Sequence, residues 1–193
     1  MKPTFLTVIF AAAAVILGGC ASPEPVVFAE VLQQKLDDKI YTACNIWYTD
    51  PGSIHCANIQ QGSFIPVGTE VEPVSTSADG KIVFKAQGKT FTILFDEGIR
   101  LCSMRDFVAD FFTTEPLEKR IETVSEPAKK RILRGEVVPG MTRAEVLLAY
   151  GPPPAIRTPS TKNETWIYYI TPAKSIRLIF RGDIVRNVFN LDL

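Results

Sequence analysis

Histidine is almost missing from this chain, with one residue, His55, among 193. A single imidazole removes most histidine-ligated metal sites and most histidine-based catalytic groupings before any motif is sought. Neither sign of charge is in surplus, since 21 lysine and arginine residues face 21 aspartate and glutamate residues. A nucleic-acid binder needs spare cations to neutralise phosphates, so that class is set aside. A hydrophobic content of 46% with no net charge excludes a disordered tail. Internal repeats and low-complexity runs are missing. Past residue 20 no apolar run approaches the roughly 20 residues that cross a bilayer.

The N-terminus carries a targeting signal. Lys2 supplies a positive start, Phe5 to Leu17 form a short apolar stretch, and Leu17-Gly18-Gly19-Cys20 closes it. The layout is that of a secretory signal, too short for a comfortable membrane span. With cysteine directly after small residues it resembles the lipobox of bacterial lipoproteins. The resemblance implies that residues 1–19 are a removed signal peptide and that Cys20 is lipidated, attaching the protein to the membrane. Ala21 and Ser22 follow it, with no aspartate after the cysteine. That pattern implies the periplasmic face of the outer membrane. Residues 20–39 then read as a lipidated tether, in which Phe28, Val31, Leu32 and Leu36 at helical spacing leave a short helix and an extended linker both open.

Strand texture begins near Ile40. Residues 40–48 and 54–59 are rich in β-branched and aromatic side chains and flank the turn cluster Thr49-Asp50-Pro51-Gly52-Ser53. Pro66 and Pro73 suit edge or irregular strands within 64–74. Asp79-Gly80 suggests a type I′ hairpin into 81–86, and Gln87-Gly88-Lys89 turns into 90–95. Residues 40–102 are therefore expected to form a small antiparallel β domain. In 103–124, connecting helices are expected, with Ser103 as a cap before Met104, Phe107, Val108, Phe111 and Phe112 at helical spacing. A helix from 126 to 134 ends at Gly135. Thr142 and Glu145 form a capping box, stapled by Met141 and Val146, for a helix stopped by Gly151-Pro152. Strands at 165–171, 175–180 and 184–191 close the chain. The fold class is α+β.

Three cysteines follow the lipidation site: Cys44, Cys56 and Cys102. A hairpin centred on Asp50 sets Cys44 opposite Cys56, so a disulfide between them and a pair of reduced core thiols are both open. His55 and Cys56, adjacent on a strand, point to opposite faces, which argues against a cysteine–histidine nucleophile. Gly88-Lys89-Thr90 has the end of a phosphate-binding loop, but the glycine required at 83 is Val83. No metal, cofactor or small-molecule substrate is expected.

Gly140-Met141-Thr142 at a helix start, Gly151-Pro152-Pro153 at its stop and the strand Trp166-Ile167-Tyr168 follow in order. This succession resembles the SmpA/OmlA, or BamE-type, lipoprotein domain over residues 125–193. The resemblance implies two helices on a three-stranded antiparallel sheet, and a non-enzymatic role in contacts with other envelope proteins, including those that assemble outer-membrane proteins. A β domain before the module departs from the family's usual plan. Residues 45–48 and 65–71 resemble segments of bacterial lipoproteins with this two-module arrangement. The likeness of the BamE fold to β-lactamase-inhibitory proteins implies a second role, an inhibitor of an envelope enzyme. Trp166, Tyr168 and Ile170 line one face of the aromatic strand and Ile167, Tyr169 and Thr171 the other. Trp166, Tyr168, Tyr169, Arg177 and Arg186 are the candidates for partner binding, because aromatic and arginine side chains anchor interfaces. The alternative is that the rings fill the core and the cations keep the edge soluble.

Overall fold

A computed structural model describes residues 26–35 and 38–192, with the side chains of residues 26, 27 and 192 left aside. The signal segment 1–19, Cys20 and Leu36 lie outside the described residues. The chain forms two α+β modules, each with its own buried core.

In the first module, α1 (Val26–Val31) is followed by short strands β1 (Ile40–Thr42), β2 (Ile46–Tyr48), β3 (Ile54–His55) and β4 (Ser63–Ile65). Longer strands β5 (Glu70–Thr76), β6 (Lys81–Ala86) and β7 (Lys89–Leu94) come next, then helices α2 (Glu97–Arg100) and α3 (Met104–Phe111) and strand β8 (Phe112–Thr113). Six strands make one sheet in the order β3-β7-β6-β5-β1-β8, while β2 and β4 pair separately. The sheet is mixed, because β3 runs parallel to β7. The expected hairpin about Asp50 does not form: β2 pairs with β4, aligning Ile46 with Ile65, and β3 leaves for another sheet. The geometry that would have joined Cys44 to Cys56 is therefore lost, and both are free, buried thiols.

Alternation sets the core. Ile82, Phe84 and Ala86 of β6 face Ile93, Phe91 and Lys89 of β7, and the apolar members are buried. Edge-to-face ring contacts link Phe28 to Phe112, at 4.8 Å, and Phe112 to Phe84, at 5.2 Å. Phe28 is thus part of the core, so the tether becomes structure from α1 onward. The module also reaches beyond residue 102. Phe107, Val108 and Phe111 of α3 enter the same core, and β8 pairs with β1. Ser103 caps α3 in a box with Asp106, and Asp96 caps α2 by accepting from the Gly98 N–H.

Two turns exchange the expected roles. Asp79-Gly80 belongs to a longer loop in which Gly80 alone takes a positive φ, while Gln87 and Gly88 both do, the requirement of a type I′ turn. Pro73 sits in β5, inside the sheet. It is tolerated because β1 reaches only to Val71 and the β5–β6 register shifts between Pro73 and Ser75.

The second module contains α4 (Leu117–Arg120), α5 (Glu126–Leu133), α6 (Arg143–Tyr150) and strands β9 (Thr165–Thr171), β10 (Lys174–Arg181) and β11 (Ile184–Asp192). The strands form an antiparallel sheet in the order β11-β10-β9. Ile132 of α5 and Val146 and Ala149 of α6 share a core with Trp166, Tyr168, Leu178 and Phe180. Gly135 ends α5 with φ 65°, its N–H donating to Ile132 O while the Glu136 N–H donates to Arg131 O. At α6 the Thr142 hydroxyl accepts from the Glu145 N–H at 3.2 Å, and the Glu145 carboxylate accepts from the Thr142 N–H at 2.7 Å.

Buried amides join the modules. Asn45 donates through Nδ2 to Ile132 O and Ala149 O and accepts at Oδ1 from the Val67 N–H. Asn58, held at φ 53°, donates to Asn45 O and Tyr150 O and accepts from the Trp47 N–H. Both side chains are buried and fully engaged, which is what makes such groups tolerable away from water. Glycines allow the close approach: a Cβ at Gly135 would lie 2.5 Å from the Trp47 ring, and one at Gly151 2.8 Å from Cys44 Sγ.

Candidate functional site

The strand alternation of β9 decides which sequence candidates can meet a partner. Trp166 and Tyr168 face the helices and are 0% exposed, which removes both as surface contacts. Burial pushes the Tyr168 phenol well above its usual range, and its hydroxyl donates to Gly151 O at 2.9 Å. The cation over Trp166 is neither Arg177 nor Arg186. It is Arg143, whose guanidinium lies 4.2 Å from the Phe180 ring centre and 5.2 Å from that of Trp166. Arg143 also donates to Thr161 O and Asn163 O, so it clamps the loop before β9.

Among the described residues the opposite face of the sheet carries the exposed and half-buried side chains, with Ser175 its one buried member. Cross-strand registers place Ile167, Arg177 and Phe189 in one row, with Tyr169, Ser175 and Leu191 in the next. Thr165, Ile179 and Asn187 form the third. Arg177 and Arg186 are exposed, Tyr169 is partly exposed, and Phe189 is 46% exposed in the outer strand. Of the five candidates, three therefore reach the surface. Phe189, Ile167 and Ile179 join them. The 2.0-residue period alternates faces within each strand, but only the cross-strand register joins these residues on one face and only the position of the helices shows which face is open.

Tyr169 continues this face into a groove of about 300 Å³ between the modules, lined by His55, Ile59, Ile99, Ile156, Tyr169 and Pro172. The guanidinium of Arg157 lies 5.7 Å from the Tyr169 ring centre. His55 accepts the Ala57 N–H at Nδ1, and partial desolvation of its ring against the groove lowers its pKa. His55 is exposed whereas Ile54 and Cys56 on either side are buried, so imidazole and thiol diverge. Burial also drives the thiols away from reactivity, with Cys44 pushed up to about 12 and Cys56 raised.

Charge separates the two modules. Residues 26–124 contain nine basic and fourteen acidic side chains, whereas residues 125–192 contain eleven basic and six acidic ones. On the acidic module most surface cations are paired: Lys39 with Glu70, Lys81 with Asp79, Lys85 with Glu72, Arg105 with Glu30 and Lys119 with Glu115. On the basic module Arg177, Arg181 and Arg186 have no ion pair among the described residues. Groups of three or more His, Cys, Asp or Glu side chains able to hold a metal are missing from the described residues, and no helix there is long and apolar enough to cross a membrane. Comparison with protein families, curated proteins and solved structures finds no match for this chain.

Proposed function

We propose that this is a lipid-anchored protein of the bacterial envelope that binds another protein through the open face of its C-terminal sheet, without catalysing a reaction. The observation that carries the reading is a half-exposed Phe189 beside an exposed Arg177 on that face, with an exposed Arg186 at the nearby bulge of β11, neither arginine in an ion pair among the described residues. Aromatic rings flanked by guanidinium groups are the side chains that dominate protein interfaces. The Lys2-to-Cys20 signal supports attachment at the outer membrane's periplasmic face, where the partner would be an envelope or outer-membrane protein. Two helices sharing a core with a three-stranded sheet suit the SmpA/OmlA, or BamE-type, arrangement and a part in outer-membrane protein assembly. An inhibitor of an envelope enzyme, held through the same face, is the second reading. The groove at Tyr169 favours it by offering a recess that could receive a partner's side chain.

In-cell photocrosslinking from positions 177 and 189, with position 85 as control, tests the binding face. Protein adducts from the first two and none from the third are expected. Adducts confined to lipid, or to position 85, would overturn the assignment. Changing Cys20→Ala should release the protein from the membrane fraction, and an intact, unmodified Met1 terminus on the unaltered protein would refute lipidation.

A further inference from the structure

The sheet edges of this molecule are unequal. In the six-stranded sheet the two outer strands, β3 and β8, have two residues each, so an added strand would gain little there. In the C-terminal sheet the β9 edge is already occupied: the Gln60 N–H donates to Tyr169 O at 2.8 Å, and the Ile167 N–H donates to Thr158 Oγ1 at 2.9 Å. Among the described residues the β11 edge is occupied only at its start, where Gly140 and Met141 bond to Val185 and Thr142 bridges to Ile184. From Arg186 to Asp192 no further strand lies beside it among the described residues. Its unclaimed backbone groups are a template for another strand. The surrounding side chains set the chemistry of that strand. Arg186 lies on the edge strand itself, Arg181 stands at the turn leading into it, and Arg177 faces Phe189 across the ladder. None of the three guanidinium groups meets a carboxylate among the described residues.

We propose that the β11 edge accepts an extended, acidic segment of the partner protein as a fourth strand. The proposal rests on the partner-binding reading above and adds the class of ligand. Main-chain hydrogen bonds to β11 hold the segment, its carboxylates meet Arg186 and Arg177, and an apolar side chain packs on Phe189. A second copy fits less well, since β11-to-β11 pairing would bring two basic modules together. An anionic bilayer would meet the arginines and leave the backbone edge unused.

Three fluorescent nonapeptides, titrated into the purified full chain and followed by anisotropy, test this: a Glu-Glu-Val-Val repeat, which shows both residue types on each face of a strand, the matching Lys-Lys-Val-Val repeat, and the acidic peptide N-methylated at alternate residues. The acidic peptide should bind, and the basic and N-methylated ones should bind at least about tenfold more weakly. Raising salt from about 50 to about 500 mM should weaken the acidic peptide by a similar factor. So should the exposed double variant Arg177→Ala/Arg186→Ala, with its melting temperature as the folding control. Equal binding of the acidic and basic peptides would overturn the proposal. So would undiminished binding of the N-methylated peptide, or capture by anionic phospholipid vesicles without peptide binding. If crosslinks from position 189 trap a protein while the peptides fail, strand addition falls and the binding face stands. If those crosslinks trap no protein, both fall.

Discussion

The two modules differ in which of their cations meet a carboxylate, although the basic one also pairs Lys129 with Glu126 and Arg131 with Glu136 on α5. The acidic module pairs most of its surface cations locally, as in Lys85 with Glu72 across β5 and β6, and keeps a surplus of carboxylates. The basic module stacks Arg143 on aromatic rings for its own structure and leaves Arg177, Arg181 and Arg186 facing solvent without a carboxylate among the described residues. Exposed ion pairs add little stability, commonly about 0–1 kcal/mol, so local pairing mainly removes charge from the field seen by other molecules. An unpaired set retains that field. Equal totals of acidic and basic residues therefore conceal a molecule with two unlike ends.

The sharpest way to break the comparison is to cut the modules apart. Asn45→Ala removes the partners of the Val67 N–H and of the Ile132 and Ala149 carbonyls, all at the junction. Losing a buried amide with several partners should cost about 2–5 kcal/mol. Denaturant unfolding should show that loss, with one transition becoming two as the modules uncouple. A variant within about 0.5 kcal/mol of the unaltered protein would mean that the amides do not hold the modules together.

A smaller effect is expected within the basic module alone. Thr142→Ala deletes the acceptor for the Glu145 N–H and should destabilise that module by about 0.5–2 kcal/mol. Superimposable unfolding curves would contradict it. Smaller still is a pH effect at the junction groove. Partial desolvation lowers the folded-state pKa of His55 below the ordinary histidine value of 6.5. Below 6.5 the unfolded chain takes up a proton before the folded one does, so stability is lost as pH falls from 6.5 through the lowered value. His55→Gln should flatten the stability profile in that window, and an unchanged slope would assign it to other groups.

Much of this architecture is legible from local rules. The Thr142–Glu145 pair, the Gly135 stop and the alternation of β6, β7 and β9 each follow from a few adjacent residues and one backbone period. What was illegible depends on long-range pairing. Thr49 to Ser53 has turn chemistry, yet tertiary contacts send β2 to β4 and β3 to β7, and the expected Cys44–Cys56 alignment disappears with the hairpin. Asn45 and Asn58 carry no sequence signature, because their partners lie up to 104 residues away. For the same reason, the three aromatic candidates of β9 could be divided into two faces but not into core and surface, and the two arginines on the following strands could not be assigned to a face. That division required α5 and α6, which cover Trp166 and Tyr168 and leave Arg177, Arg186 and part of Tyr169 outside.

The central claim is that the unpaired arginines of the basic module, and not the paired cations of the acidic one, engage the partner. Its most direct test is partner capture by the full chain, compared between Arg177→Ala/Arg186→Ala and Lys39→Ala/Lys85→Ala, with melting temperatures measured on both. Each pair removes two exposed positive charges, so the net charge changes equally. The arginine variant should lose capture by about tenfold or more, equivalent to about 1.4 kcal/mol, while melting almost as the unaltered protein does. The lysine variant should capture normally. Loss of capture in the lysine variant with retention in the arginine variant would place the interaction on the acidic module and contradict the account.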